Sequence, residues 1–492
     1  MAWIWMVAIA AVAFISLVHQ WRHNKKKLPP GPNGLPIIGH FHLLTKNPHQ
    51  DLHRLARKHG PIMYMRFGSI PTVVVSSPAA AELFLKTHDL IFASRPRSEA
   101  SNYLGYQQRS IAMARYGDDW RNLRKLCTLE LLSSRKVAQF EPMRKAELGI
   151  FVNSLRRAAA AREAVDMSVR IASVSAGMTC MMVFGRKYGD SDLDERGFKE
   201  MVAAVMKEAA ALNIGDYFPY LRWLDLQGSR RRLKELSKIF DAFFERIIQD
   251  HVESEEGRTH DFVDTMMAIL DSGQAGFNFD RRHVKAVLLD MLLAGMDTSA
   301  TAVEWALSEL IRHPKEMKKL QKELEETVGL NQMVVESHLS SLKYLDCIIK
   351  ESMRLHPVVS LIIQEAMDDC EVHGFHIPNK AQILVNVWAI GRDPDVWTHP
   401  DRFAPERFLG SNVDLRGQDF QLIPFGSGRR GCPGLQLGLT MVRLMVAQLV
   451  HCFDWELPHE MMPAELDMSD HFSLVTTRAN HLIAIPVYRL SV

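Results

Sequence analysis

The stretch "FGSGRRGCPG" (residues 425–434) places one cysteine among four glycines, two arginines and a proline. A free cysteine usually fills a buried core, but turn-forming glycines and cations do not build a core helix or strand. Gly426, Gly428 and Gly431 also match G-x-G-x-x-G, the dinucleotide-binding fingerprint. A third interpretation is a thiolate held in an electropositive loop, as a metal ligand requires. The rest of the chain must decide among the three.

The composition of the chain is that of an ordinary globular protein. It has 492 residues, of which 47% are hydrophobic and 24% charged. It has no Gly/Ser linker, repeat or low-complexity tract, which favours one large domain over three smaller ones. The formal net charge of +2 predicts that nucleic acid is not a partner.

Hydrophobic periodicity predicts a mainly α protein with a small β-region, an α+β fold. Helices are predicted at about 117–159, 197–255, 281–313, 336–354 and 435–453. A hairpin is predicted at 61–77, turning at Gly68–Ser69, with further strands within 369–390 and near the C-terminus. A dinucleotide-binding unit would need a second strand and an acidic residue about 20 positions after the glycines. Asp454 has that spacing, but the helix after Cys432 runs almost up to it, so this interpretation is disfavoured.

The N-terminus predicts a membrane anchor. Residues 1–18 are uncharged and apolar, about long enough to cross a bilayer, so we assign 1–21 as the anchor. A cleaved signal peptide is the alternative, because small residues surround Ala11 and Ala13. Basic residues follow the apolar run and predict that the later chain stays in the cytosol; they are Arg22, Lys25, Lys26 and Lys27.

The anchor is followed by a basic, proline-rich hinge at 22–36 that includes "LPPGP" (28–32), a stiff and extended spacer. Residues 37–492 would then form one large globular domain. A cytosolic location predicts that all cysteines are free thiols.

A predicted helix from Arg282 to Arg312 is interrupted by "AGMDTS" (294–299). The mid-helix Gly295, next to Ala294, costs about 1 kcal/mol relative to alanine and would let the helix open toward a ligand. Thr298 can return its hydroxyl to a carbonyl one turn back, and Asp297 adds a group suited to proton delivery. The alternative is a kink with Asp297 facing solvent.

Three further patterns are weak when taken singly. "ESMR" spaces Glu351 and Arg354 three residues apart on a helix, which is common on solvated surfaces. Arg407 lies in "APERF", which any loop could contain. "WRNLR" sets Trp120 and Arg124 one helical turn apart, as a surface stack or as a clamp for a carboxylate.

Together and in this order, these motifs resemble the cytochrome P450 family over the whole chain, specifically the plant microsomal A-type haem-thiolate monooxygenases. The haem-loop signature F-x-x-G-x-R-x-C-x-G matches Phe425, Gly428, Arg430, Cys432 and Gly434. "AGMDTS" resembles the family's oxygen-binding groove. Glu351, Arg354 and Arg407 match its buried triad, and Trp120 and Arg124 match its haem-propionate pair.

The resemblance implies that Cys432 is the axial ligand of the iron in haem b. Glycines such as Gly426 and Gly434 would let the backbone wrap beneath the macrocycle and aim N–H groups at the sulfur. These donors and the helix starting at Leu435 would hold Cys432 as a thiolate. An axial thiolate favours O–O cleavage, and Arg430 would supply positive charge for a propionate.

The implied function is insertion of one oxygen atom from O2 into a small, largely apolar substrate, one of specialised metabolism. Electrons would come from NADPH through NADPH–cytochrome P450 reductase, for whose docking Arg121, Lys125 and Arg429 are candidates. The enzyme would be a single-pass protein of the endoplasmic reticulum membrane that contacts lipid and faces the cytosol. A haem-thiolate isomerase or dehydratase, and a non-catalytic haem sensor or carrier, are the alternatives.

By the same resemblance, four stretches would line the substrate pocket: 98–115, Leu288–Ala294, Val358–Ile363 and the vicinity of Leu474. One departure stands beside them. After "LHP" (355–357) the family typically places a Pro-Arg or Pro-His pair about seven residues on; this chain is one residue shorter and has Gln364 there. A one-residue slip in a strand flips every side chain, and an amide brings no charge to a propionate. We therefore predict weaker haem retention than in relatives, with the pocket-facing side chains among Ser360, Leu361 and Ile362 left open.

Overall fold

The computed structural model describes residues 27–188, 197–253 and 260–491. The predicted anchor, 1–21, and the first hinge residues, 22–26, lie outside the described residues. The described chain is mainly helical with small sheets, which confirms the predicted fold class. The α-helices are α1 Pro48–His59, α2 Pro78–Glu82, α3 Glu99–Tyr103, α4 Asp118–Leu126, α5 Ser134–Gln139, α6 Glu141–Ala161, α7 Met167–Phe184, α8 Phe198–Ala210, α9 Ile214–Tyr217, α10 Ser229–Glu253, α11 Phe262–Ser272, α12 Arg281–Arg312, α13 Pro314–Val328, α14 Lys343–Leu355, α15 Val387–Ile390 and α16 Leu435–Cys452.

The β-strands are short. They are β1 Ile62–Phe67, β2 Ile70–Val75, β3 Val165–Asp166, β4 Leu361–Glu365, β5 Cys370–Val372, β6 Phe375–Ile377, β7 Gln382–Asn386, β8 Phe453–Glu456, β9 Asp470–His471, β10 Thr477–Arg478 and β11 Ile483–Tyr488. Short 3-10 helices lie at Phe41–Leu43, Pro219–Leu224, Glu336–Ser341, Pro405–Phe408, Gly428–Arg430, Pro458–Glu460 and Pro463–Glu465, and π turns at Leu83–Thr87 and Cys127–Leu131.

Several predicted elements are confirmed and others are broken. The hairpin turns at Gly68–Ser69, and α12 and α16 end within one residue of their predicted bounds. The predicted helix 117–159 is interrupted before α5, because the Ser133 side chain accepts a hydrogen bond from the Lys136 amide and starts a new helix. The predicted helix 197–255 is broken between α8 and α10, where Pro219 lacks an N–H and Gly228 has φ 63°. Helices α1, α7, α11 and α13 were not predicted.

Helix α12 forms the centre of the molecule and packs against α7, α14 and α16. Asp280 caps its N-terminus by accepting hydrogen bonds from the amides of Arg282 and His283. The helix is buried from residue 283 to 311 except at six positions; these are Asp290, Met291, Ala294, Gly295, Asp297 and Thr298. Helices α7, α12 and α16 are long and apolar enough to cross a membrane, but half to two thirds of each apolar window is buried in the fold, as expected of core helices.

The largest sheet has the order β1-β2-β7-β4. Strand β2 runs parallel to β7, and β4 pairs antiparallel with β7, with Ile363 opposite Leu384. This register buries Gln364, while Ile363 remains 41% exposed. Ser360, just before β4, is buried and its hydroxyl pairs with that of Thr476 at 2.9 Å.

A buried ion triad joins α14 to the long segment that leads to Cys432. The Glu351 carboxylate accepts two hydrogen bonds from Arg354, both 2.8 Å, and one of 3.0 Å from Arg407. Arg354 also donates to the carbonyls of Gly391 and Pro400. The predicted triad is thus confirmed, and it ties residues 391–407 to the helical core.

Replacing Glu351 with alanine should lower the free energy of unfolding by about 3–5 kcal/mol, because the buried Arg354 and the half-buried Arg407 would lose the one carboxylate with which they pair among the described residues. Urea unfolding followed by tryptophan fluorescence measures this loss. Glu326, which forms an exposed pair with Lys322, is the matched control, and its alanine variant should lose less than about 1 kcal/mol. Equal losses in the two variants would contradict the anchoring role of the triad.

Candidate active site

The loop 425–434 folds back on itself just before helix α16 begins. Gly428 has φ 66°, and a Cβ there would lie 2.2 Å from the Leu85 carbonyl oxygen, so the position requires glycine. The Cys432 amide donates to the Phe425 carbonyl at 2.8 Å, and the Ser427 hydroxyl to the Gly417 carbonyl at 2.6 Å. Gly426 also has a positive φ, of 71°. The loop therefore holds the cysteine immediately before α16 begins.

The thiol of Cys432 retains accessible surface, unlike Cys127, Cys180, Cys347 and Cys452, which are buried. Although the residue keeps accessible surface, protein atoms packed around the sulfur desolvate it and raise its pKa, while the Gly434 amide and the Arg124 guanidinium oppose that rise. The net shift is upward, and the expectation that the loop's donors and the start of α16 hold Cys432 as a thiolate stays a prediction. Coordination to a metal ion would deprotonate the sulfur.

The accessible face of α12 contains the four predicted catalytic residues. Ala294 is exposed, and Gly295, Asp297 and Thr298 are half-buried. The Thr298 hydroxyl donates to the Ala294 carbonyl at 2.6 Å, as predicted. Burial raises the pKa of Asp297. The helix stays regular here instead of opening.

Gly295 serves helix packing. A Cβ at this position would lie 2.9 Å from Cγ2 of Thr179 on α7, so a larger residue would require the Thr179 side chain to shift. Ser175 of α7 donates to the Met296 carbonyl at 2.7 Å. Gly295 therefore lets the neighbouring helix approach closely, and its role in admitting a ligand stays a prediction.

Three buried or half-buried arginines lie beside the cysteine loop: Arg95, Arg124 and Arg430. Arg430 donates to the carbonyls of Ala93 and Ala114 at 2.6 and 2.7 Å. Arg124 donates to the Gly431 carbonyl at 2.6 Å. Within the described part of the chain, none of the three pairs with a carboxylate. Burial, with repulsion from Arg95 and Arg124, lowers the pKa of Arg430 to about 9.

The indole of Trp120 is buried, and Arg430 lies 3.9 Å from its ring centroid. Its N–H donates to the Ile111 carbonyl at 2.9 Å. The observed contacts of Trp120 are therefore a cation–π stack and a backbone hydrogen bond. The accessible thiol and the group of arginines without carboxylates together fit a haem with two propionates, since they supply a soft ligand and compensating positive charge.

Arg95 was missed by the sequence analysis. It donates to the carbonyls of Ala112, at 3.2 Å, and Ile363, and burial lowers its pKa to about 10. It thus lies next to Gln364, whose buried side-chain oxygen has no hydrogen-bond partner in the described structure. Strand β4 has Gln364 where the family typically has a cation. The sequence alone could not identify Arg95 as a neighbouring cation, because that requires knowing that its segment contacts β4 in space.

The candidate docking residues share a surface beside the loop. Arg121 and Lys125 are exposed on α4, and Arg429 forms an ion pair of 3.1 Å with Asp89. With Arg124 and Thr128 they line a shallow depression in which Leu129 is exposed. This cationic depression is called the basic depression below.

Residues 29–483 match the model of the family described as cytochrome P450. The chain is 48% identical to cytochrome P450 CYP736A12 of Panax ginseng, over 95% of this chain and 94% of the relative. It is 40% identical to phenylacetaldehyde oxime monooxygenase CYP71AN24 of Prunus mume, over 94% and 90%. It is 39% identical to flavonoid 3'-monooxygenase CYP75B137 of Crocosmia x crocosmiiflora, over 99% and 98%.

A solved structure of a zebra fish cytochrome P450 with abiraterone superposes with a TM-score of 0.75 at 25% identity, covering 90% of this chain and 100% of that one. Family match, full-length relatives and fold agree with the cysteine loop and the buried triad. The cofactor of this family is haem b, which the residues around Cys432 fit. The chain belongs to the cytochrome P450 family and is a haem-thiolate monooxygenase of the plant type.

Proposed function

We propose that this enzyme uses O2 and electrons from NADPH, delivered by NADPH–cytochrome P450 reductase, to hydroxylate or otherwise oxidise a small, largely apolar substrate. The observation that carries the proposal is the accessible Cys432 thiol beside three arginines that pair with no carboxylate among the described residues. When bound, haem would supply the oxygen-activating chemistry. The protein residues hold the cofactor, orient the substrate and move protons.

Cys432 is the proposed iron ligand, and Arg95, Arg124 and Arg430 are the proposed propionate partners. All three guanidiniums still have donors beyond those given to backbone carbonyls, since each carries five N–H groups. The proposed contribution of Phe425, Gly426 and Gly434 is to shape the loop. Trp120 acts through Arg430, on which it stacks.

Thr298 and Asp297 are proposed to hold the proton supply on the accessible face of α12, with Ala294 and Gly295 forming the floor beside them. Because the pKa of Asp297 is raised by burial, its carboxyl can accept and return a proton closer to neutral pH than an exposed aspartate can. The Thr298 hydroxyl keeps its acceptor lone pairs free while donating to Ala294.

The basic depression is the proposed docking site for the reductase, whose docking face would be acidic. It lies directly beside residues 429–432, which gives a short path from its surface to the sulfur. Arg121, Lys125 and Arg429 surround the exposed Leu129, a pattern of charged rim and apolar centre that suits a transient complex.

The proposed location is the endoplasmic reticulum membrane, with the catalytic domain in the cytosol. An apolar surface supports peripheral contact with lipid near the proposed anchor. The rings of Phe41 and Tyr217 meet edge to face, with 5.1 Å between ring centroids, so the segments 35–38 and 212–226 lie near each other. Their exposed apolar residues are Leu35, Ile37, Ile38, Leu212, Tyr220, Trp223, Leu224 and Leu226.

The proposed substrate contacts are apolar. Ile363 and Leu474 are 41% and 43% exposed, and Met291 of α12 is half-buried. Two relatives are named for their action on phenylacetaldehyde oxime and on a flavonoid. Small aromatic compounds of these two classes are therefore the first substrates to test. Substrate-induced difference spectra against phenylpropanoids, terpenoids and fatty acids would identify the class.

Replacing Cys432 with histidine should preserve haem binding, because imidazole is a good iron ligand, and should abolish both product formation and the thiolate signature of the reduced carbon-monoxide complex. Cys370→Ser, which changes a half-buried cysteine elsewhere, should leave that spectrum unaltered. An unchanged spectrum in Cys432→His would overturn the ligand assignment.

Arg95→Gln should speed haem transfer to apomyoglobin roughly tenfold, the equivalent of one charge-assisted hydrogen bond. Arg97→Gln removes an exposed arginine two residues away and should transfer haem at the parent rate. The double variant Arg95→Gln, Gln364→Arg returns a cation to the same region. It should therefore transfer haem to apomyoglobin as slowly as the parent does. If Arg95→Gln retains haem as well as the parent does, Arg124 and Arg430 are sufficient to hold the propionates and the proposed role of Arg95 is wrong.

Thr298→Ala should divert electrons from NADPH into hydrogen peroxide while leaving haem content and the substrate-induced spectrum intact. The hydroxyl acts on proton transfer and not on substrate binding. The ratio of product to NADPH consumed measures the effect, with Thr301→Ala, one turn further along α12 and buried, as the control. Coupling equal to that of the parent would show that protons arrive by another route.

A further inference from the structure

Residues 110–114, here called the bridging segment, lie between the cysteine loop and α12. Carbonyl oxygens of this segment accept hydrogen bonds from the arginines beside the cysteine loop. Arg430 donates to Ile111 at 3.3 Å and to Ala114 at 2.7 Å, and Arg95 donates to Ala112 at 3.2 Å. The Trp120 indole N–H also donates to the Ile111 carbonyl.

The opposite side of the same segment faces a carboxylate on α12. Asp290 accepts a hydrogen bond of 2.7 Å from the Ser110 hydroxyl and one of 2.6 Å from the Ile111 amide. The Ser110 oxygen in turn accepts from the Met113 amide at 2.9 Å. Ser110 is 1% exposed, so these bonds are shielded from water.

The peptide groups of the bridging segment are therefore oriented by charges of opposite sign. At Ile111 the N–H points to the Asp290 carboxylate and the C=O points to Arg430, so both ends of one residue have charge-assisted hydrogen bonds. Among the described residues, Asp290 has no arginine, lysine or histidine within ion-pair distance. Its burial raises its pKa to about 6, and the donors from the segment oppose that rise.

Asp290 also belongs to the accessible face of α12, one helical turn before Ala294 and two before Thr298. It is the first of the six residues of the buried stretch that retain accessible surface. Both carboxylate oxygens already accept hydrogen bonds from the segment, which favours a positioning role over direct contact with a substrate.

We propose that Asp290 is a positioning residue that fixes the bridging segment against α12. Its carboxylate would thereby position the substrate-facing wall at 110–114. It would also position the backbone carbonyls that accept hydrogen bonds from Arg95 and Arg430. The part concerning the substrate wall rests on the proposed function, because the pocket lining is assigned by resemblance. The anchoring of the segment does not depend on it.

The first measurement is backbone hydrogen–deuterium exchange in the purified haem protein. Asp290→Asn removes the charge at constant size and should speed amide exchange at 110–114 about tenfold, because local opening loses its strongest restraint. Ser110→Ala should give a smaller increase, and Ser110→Thr, which keeps the hydroxyl, should restore most of the protection. Glu304→Gln is the matched control, since Glu304 is a buried carboxylate on α12 that accepts the Ser168 hydroxyl.

The second measurement compares two iron ligands by their spectral dissociation constants. Imidazole coordinates iron and touches little else, whereas 4-phenylimidazole also places a ring in the pocket. Asp290→Asn should weaken 4-phenylimidazole about five- to tenfold and imidazole less than twofold, the split expected when a pocket wall moves while the iron stays accessible to a small axial ligand. Glu304→Gln should leave both constants unchanged.

Unchanged exchange at 110–114 in both Asp290→Asn and Ser110→Ala would overturn the anchoring role. Equal weakening of the two ligands would overturn the role in the pocket wall. If Asp290→Asn does not accumulate as a folded protein, the Ser110 pair decides the question by the same measurements. Failure of the haem-thiolate assignment would be seen separately, in the carbon-monoxide spectrum of the parent protein, and would leave the exchange result interpretable.

Discussion

The positive charge of Arg95, Arg124 and Arg430, held together beside the cysteine loop, is the constraint on which the rest of the site depends. Burying a guanidinium costs free energy unless its N–H groups are satisfied. Here backbone carbonyls of Ala93, Ile363 and the bridging segment satisfy them, while no described carboxylate neutralises the charge. An arrangement of this kind is stabilised by a dianionic ligand, and the two propionates of haem supply that charge in this family.

This constraint explains why distant segments must meet. The arginines come from three separate places in the chain, and each donates to the backbone of another segment. The Glu351 triad performs the complementary task, because it fastens residues 391–407 to α14 and so limits where the cysteine loop can lie. Haem site and helical core are therefore coupled through hydrogen bonds to backbone as much as through side-chain packing.

Helix α12 meets two structural requirements within residues 290–298. Toward α7 it needs close packing, which Gly295 permits at Thr179 and Ser175 reinforces at the Met296 carbonyl. Toward the cysteine side it keeps accessible surface with Asp290, Ala294 and Thr298 one turn apart. The irregular composition of "AGMDTS" is thus explained by the two environments of a regular helix, without local unwinding.

The sequence by itself determined the fold class, the cysteine loop, the Glu351–Arg354–Arg407 triad and the length of α12. The fold class and the length of α12 follow from local periodicity, whereas the cysteine loop and the triad were recognised through their resemblance to motifs of the cytochrome P450 family. It did not determine the breaks around Ser133 and Pro219, where helical periodicity continues past a local capping or backbone signal.

Only the tertiary structure decided the roles of Arg95, Asp290 and Gly295. Arg95 and Asp290 act on segments far away in the chain, and Gly295 packs closely against a neighbour on another helix. The pKa of Cys432 was likewise decided in three dimensions, because burial by surrounding protein outweighs the nearby donors. Desolvation and long-range hydrogen bonds depend on which segments meet, and a linear pattern of residues does not contain that information.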